Sequence, residues 1–107
     1  EIKMLIPPLI KKWEGIIGVN VAQWRVQQMK TRWGTCTIET CHILLNLELV
    51  KKPVLSLEYI IVHEMVHLQE KHHNDHFTAL MDQYMPKWRE AKAILEHYPL
   101  ALETWEY

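Results

Sequence analysis

The spacing of apolar side chains along this chain changes from a helical period to a strand period and back, and those changes mark its elements. Leu9, Trp13 and Ile17 recur at the spacing of a helix that buries one face. Pro7 and Pro8 suit the start of that helix, where an N–H has no intrahelical partner to lose, and Gly18 supplies a stop. From Val19 to Val26 the period shortens toward two, with Val19 and Val21 on one face and Ala22, Trp24 and Val26 on the other. The stretch KTRWGTCTIETCHILLNLEL continues in that texture and predicts two further strands joined by a polar turn near Glu39-Thr40. Gly34 inside a strand signals a bulge or a close approach of another part of the molecule.

After Lys51-Lys52-Pro53 the helical period returns. Ser56 is placed to cap a helix running from about Leu57 to about Glu70. His72 to Asp75 form a polar break, in which Asn74 or Asp75 can cap a third helix through HFTALMDQYM. Pro86 opens a fourth, PKWREAKAILEHY, which ends before Pro99. The predicted class is α+β, a small antiparallel sheet of about three strands packed with about four helices. Trp13, Trp24, Trp88 and Trp105 are expected in core or helix packing, as are Met81 and Met85.

The second predicted helix carries the chemistry. With His63 at zero and about 100° per residue, His67 sits one turn along at about 40°, so the two imidazoles project side by side. Leu57, Leu68, Ile61 and Met65 fall between about 120° and about 200°, and Ile60, Val62 and Val66 flank the rest. Apolar residues thus nearly encircle the helix, which predicts burial on several sides. Glu64, at about 100°, lies between the histidine face and the apolar stripe. A carboxylate there is costly unless something positive answers it.

A lone histidine on such a helix would be a satisfied core residue, but H-E-x-x-H on a buried helix favours a metal. Two imidazoles one turn apart can hold Zn2+ at ~2.0–2.1 Å, and a catalytic site adds a third protein ligand and keeps a fourth position open. His72, His73, His76, Asp75 and, farther off, Asp82 or Glu90 are the candidates. On an uninterrupted helix His73 would lie ~15 Å along the axis from His63 and face away. It can bind only if the helix ends and the chain turns back, and the polar break supplies such a turn. The gap from His67 to His73 is also that of the metzincin pattern H-E-x-x-H-x-x-G-x-x-H, with Glu70 standing where that pattern has its glycine. His73 is the preferred third ligand, His76 the next, and His72 is expected to face solvent.

One Zn2+ held by His63, His67 and His73 lowers the pKa of its water to about 7 and polarises a carbonyl. Glu64 is then placed to take the water's proton and pass it to a leaving amine. The constellation suits hydrolysis of an amide, above all a peptide bond, with a peptide or protein as substrate. Arg32, His76 and Tyr84 are equal candidates for a second oxyanion donor.

A rival from another class uses Cys36, Cys41, His63 and His67 as a closed C2H2-like structural zinc module without catalysis. The interval from Cys41 to His63 is well above the about twelve residues of DNA-binding fingers, and the helix has no basic face to enter a groove. That module also leaves Glu64 and His73 without a purpose.

Composition narrows the setting. The 107 residues are 49% apolar and 23% charged, a soluble globular balance, and the formal net charge of −1 with scattered Lys and Arg gives nucleic-acid binding no support. No apolar run reaches the ~20 residues of a membrane span. A length of this order predicts one domain, residues 1–107. Cys36 and Cys41 make a poor disulfide framework, which points to free thiols in a reducing compartment, the cytoplasm, with a disulfide across the predicted hairpin as the alternative.

The segments RWGTC, ILLN, LEYIIVHEMVHL, HHNDHF and MPKWR, in that order from about Met29 to the C-terminus, resemble the YgjP-like family of zinc metallopeptidases, relatives of the SprT-like proteases. The resemblance implies a zincin-like fold with His63, His67 and His73 as zinc ligands and Glu64 as base, in agreement with the helical geometry. It aligns Arg32-Trp33-Gly34-Thr35-Cys36 with the family's Arg-Trp-Gly-Ser-Cys motif, with Thr for Ser. Where the family's hairpin turn usually carries glycine, Thr40-Cys41 stands here. Family members are usually longer, so the resemblance also implies that this is the C-terminal catalytic part of a longer protein. An edge strand of the hairpin is expected to pair with an extended substrate, whereas Trp33 and Cys36 read equally well as plain core.

Overall fold

The computed structural model describes residues 2–97. Helix α1 spans Ile2–Ile17, strands β1 to β3 span Gln23–Gln27, Gly34–Thr37 and His42–Asn46, and helices α2 to α4 span Val54–Val66, Asp75–Tyr84 and Trp88–His97. Short 3-10 turns at Ile38–Thr40 and Leu47–Lys51 join β2 to β3 and lead toward α2. The α+β class, the three strands and the four helices are as predicted. Pro99 and Trp105 lie outside the described residues.

Helix α1 begins earlier than its prolines suggested, and Pro7 and Pro8 lie inside it. Each ring removes one N–H bond, to the carbonyls of Lys3 and Met4, but those residues are exposed and water can satisfy them. Ile2 and Ile6 meanwhile extend the buried stripe of Ile10, Trp13 and Ile17, and that burial outweighs the interruption. Gly18 ends the helix with φ +82°, its N–H donating to Glu14 O at 2.9 Å.

The sheet order is β1-β3-β2, with β2 antiparallel to β3 but β1 parallel to it, so the sheet is mixed rather than antiparallel throughout. Asn46 explains the crossover. Fully buried at the end of β3, it donates to Met29 O at 2.9 Å and Arg32 O at 2.7 Å and accepts from the N–H of Glu48. The segment after β1 therefore wraps around the end of β3 instead of folding back on its own strand. Asn46 N–H completes the anchor by donating to Trp33 O at 3.0 Å. A buried amide left without these partners would be strongly destabilising, so the wrap is specific.

Helix α2 is central and packs against α1, α3, α4, β2 and β3. Its run from Ser56 to Val66 is buried except for Glu58, as the encircling apolar pattern predicted. Glu58 accepts from Lys12 Nζ and Trp13 Nε1, tying α2 to α1. The helix starts two residues before the expected Ser56 cap. Pro53 occupies the N-cap, and the Ser56 hydroxyl is buried inside the first turn without a hydrogen-bond partner. Helix α3 is capped as expected, with Asn74 accepting from Phe77 N–H at 3.0 Å.

Candidate metal centre

His63 and Glu64 lie near the C-terminal end of α2, each only 1% exposed. The helix ends at Val66 and leaves His67 at the C-cap, rather than continuing to Glu70. One helical turn separates the two histidines, and their rings meet edge to face with centroids 4.9 Å apart. Beyond His67 the backbone tightens, Leu68 N–H donating to Met65 O and Gln69 N–H to Val66 O, and the chain turns back.

That reversal returns His73 to the pair. Its Nε2 lies 2.8 Å from His67 Nε2, and the ligand-capable nitrogens of His63, His67 and His73 all fall within 4.8 Å of one another. Phe77, placed by the Asn74 cap, seats all three rings, its centroid 4.9, 4.6 and 5.0 Å from those of His63, His67 and His73. Met81 and Met85 belong to the hydrophobic core.

The protonation states follow from burial and hydrogen bonding. Burial, reinforced by the charges His67, His73 and Lys92 would present, pushes His63 well below the ordinary 6.5. Burial also lowers His67. Both are neutral at pH 7, the form that ligates a metal. His67 Nδ1 lies 3.1 Å from Glu70 O, and a carbonyl can only accept, so the proton sits on Nδ1 and the Nε2 lone pair faces His73. Two ring nitrogens at 2.8 Å need a proton or a cation between them. Three clustered imidazoles, two of them held neutral, with one tautomer fixed by a carbonyl, fit a divalent cation that favours nitrogen ligands.

Glu64 reaches the cleft beside this cluster. The cleft holds about 280 Å³ and is lined by Arg32, Gly34, Cys36, Glu64, His67 and His73 among others. Burial, and then the charge of Glu64, push the Cys36 thiol up to about 12. Gly34 explains how β2 comes so close. A Cβ there would lie 2.8 Å from Ile60 Cγ2 and 3.2 Å from both Cγ and Oε2 of Glu64, so the glycine marks a close approach, one of the two readings its position allowed. Strand β2 forms one edge of the sheet and borders the cleft.

The other candidates do not join. Among the described residues the metal-capable group is His63, His67 and His73. Cys36 and Cys41 are both free thiols outside it, so the C2H2-like arrangement is not assembled. His72 is exposed, His76 pairs with Glu70, and Asp82 accepts from Trp88 and Arg89. Of the three suggested oxyanion donors only Arg32 lines the cleft, and the Tyr84 hydroxyl donates to Gln69. Trp33 is buried core, 3% exposed, while Cys36 is half-buried on the cleft wall. Phe77 was not foreseen as the seat of the rings, although an apolar residue in the first turn after an Asn cap is a readable signal for it.

Residues 1–98 match the family described as YgjP-like, metallopeptidase domain. No curated protein matches the chain. Among solved structures, the metallopeptidase zymogen of Pyrococcus abyssi abylysin is similar at TM-score 0.71 and 22% identity, over 84% of this chain and 88% of that one. The metallopeptidase zymogen of Methanocaldococcus jannaschii jannalysin is similar at TM-score 0.68 and 21% identity, over 80% of this chain and 88% of that one. These likenesses show a shared fold. No helix among the described residues is long and apolar enough to cross a membrane. The chain belongs to the YgjP-like metallopeptidases, and such an enzyme acts on peptide or protein substrates with a metal ion.

Proposed function

We propose that this YgjP-like metallopeptidase hydrolyses peptide bonds with a single Zn2+ held by His63, His67 and His73, and with Glu64 as general base. The supporting observation is the convergence of three imidazoles on one point, with His67 and His73 lining a cleft that Glu64 also lines. When bound, such an ion polarises the scissile carbonyl and lowers the pKa of a coordinated water to about 7.

The chain supplies the rest. Glu64 accepts the proton of the attacking water and delivers it to the leaving nitrogen, a role worth roughly 10²–10⁴-fold in rate. Its buried position on a packed helix keeps the carboxylate from wandering, which favours a defined path for that proton. Strand β2, at the sheet edge along the cleft, offers backbone groups to a substrate in extended conformation, and the missing side chain of Gly34 lets that edge lie against Glu64.

Glu64→Gln removes the base and keeps the shape. Zinc content, measured by elemental analysis, should stay at one ion per chain while hydrolysis of an unfolded protein substrate falls by two orders of magnitude or more. Undiminished turnover in that variant sinks the role of Glu64. Loss of zinc on Cys36→Ser/Cys41→Ser, with retention on His73→Ala, would return the site to the structural reading.

A further inference from the structure

The turn that brings His73 back has no obvious reason to hold its shape. Residues 71–76 are all exposed, so no apolar burial orders them. No left-handed residue bends them either. Among the described non-glycine residues only Cys41 has positive φ, so Glu70 does not imitate the glycine of the metzincin pattern. The Phe77 ring touches the His73 imidazole and Asn74 caps α3, but something else must bend the chain between Glu70 and Asp75.

Polar bonds from one residue converge there. Glu70 Oε1 lies 2.9 Å from His76 Nδ1, and Glu70 Oε2 accepts the backbone N–H of His72 at 3.3 Å. The Asn74 side chain adds a further bond to the same carboxylate. Glu70 O meanwhile accepts from His67 Nδ1. The carboxylate thus grips residues on both sides of His73, while the carbonyl of the same residue orients the ring of His67. The His76 contact, the His72 N–H and the Asn74 side chain all meet the oxygens of this one carboxyl group.

We propose that Glu70 is the positioning residue of the metal centre: its side chain staples the 71–76 turn so that His73 meets His67 and His63, replacing by hydrogen bonds the backbone bend a glycine would give. This rests on the reading of His73 as a ligand. Glu70 lines neither the reacting bond nor the ion, and acts through His73. Partners of metal ligands typically change affinity by roughly 10- to 100-fold when removed, and that is the size expected here.

Zinc dissociation constants, read by competition with a chromophoric chelator at fixed pH, test this on four full-length proteins: wild type, Glu70→Ala, His73→Ala and the double variant. Glu70→Ala should weaken zinc by roughly 10- to 100-fold. On the His73→Ala background the same change should have little further effect, because the ligand it positions is gone. A merely structural contribution would weaken binding equally on both backgrounds, and that result overturns the proposal, as does an affinity within about twofold of wild type for Glu70→Ala. If His73→Ala itself binds zinc normally, the ligand assignment fails instead, and the two failures are distinguishable. Glu70→Gln, which keeps the volume but loses one acceptor and the charge, serves if the alanine variant does not fold. The visible spectrum of Co2+ loaded into it should lose intensity relative to wild type as the third nitrogen loosens, and an unchanged spectrum counts against the staple.

Discussion

His63 and His73 reach the same point from opposite kinds of ground. His63 is 1% exposed on a helix that packs against all three other helices and two strands, and its ring has almost no freedom to leave. His73 sits in a run of six exposed residues, where apart from the Phe77 ring against its imidazole nothing apolar fixes the chain. The first of the proposed ligands is held by the core, and the third by hydrogen bonds at the surface. The difference teaches that one half of the centre is fixed by the packed core and the other half by polar contacts at its surface. Entry and exit at the site are therefore expected to act on the 71–76 side, the part of low local stability.

The comparison breaks most visibly in a pair of alanine variants studied without metal. His63→Ala empties a buried position and should cost roughly 2–4 kcal/mol, lowering Tm by roughly 10 °C or more. His73→Ala should change stability by about 0.5 kcal/mol or less, although both variants lose the metal site. Calorimetry in the presence of a strong chelator measures this, and equal drops in Tm would erase the distinction. A smaller effect sharpens the buried half. Gly34→Ala forces a methyl against Ile60 and Glu64 and should destabilise by roughly 1–3 kcal/mol, with lower turnover as Glu64 or β2 shifts. Denaturant midpoints together with turnover rates check it, and an unperturbed variant would show that the strand can retreat at no cost.

The smallest effect concerns charge. With its pKa near 12, Cys36 holds only about one thiolate in ten thousand at pH 8, so alkylation should be slow. Because the Glu64 carboxylate contributes to that rise, Glu64→Gln should lower the pKa and speed modification of Cys36 a few-fold. Mass spectrometry of the alkylated peptide reads it, and an unchanged rate would place the Glu64 charge away from the thiol.

Features set by near neighbours were legible in the sequence. The stop at Gly18, the hairpin through Glu39-Thr40 and the Asn74 cap each depend on residues a few positions apart, and each stands as predicted. The departures depend on burial and turn contacts that hydrophobic periodicity does not encode. Pro7 and Pro8 looked like a helix start because the burial of Ile2 and Ile6 cannot be seen locally. The early end of α2 depends on a turn in which Glu70 bonds residues still to come.

What the sequence alone determined is the arrangement along one helix: the 3.6-residue period puts His63 beside His67, and the surrounding apolar residues bury Glu64 next to them. Tertiary structure decided what stands opposite that helix. Asn46 sends the segment after β1 around β3, which makes the sheet mixed and brings Gly34 onto Glu64, and the Glu70 contacts return His73. The physical reason is one of range. A helical period repeats every turn and is written in adjacent residues, whereas a buried amide or a bridging carboxylate selects its partners only once the chain has brought them within hydrogen-bond distance.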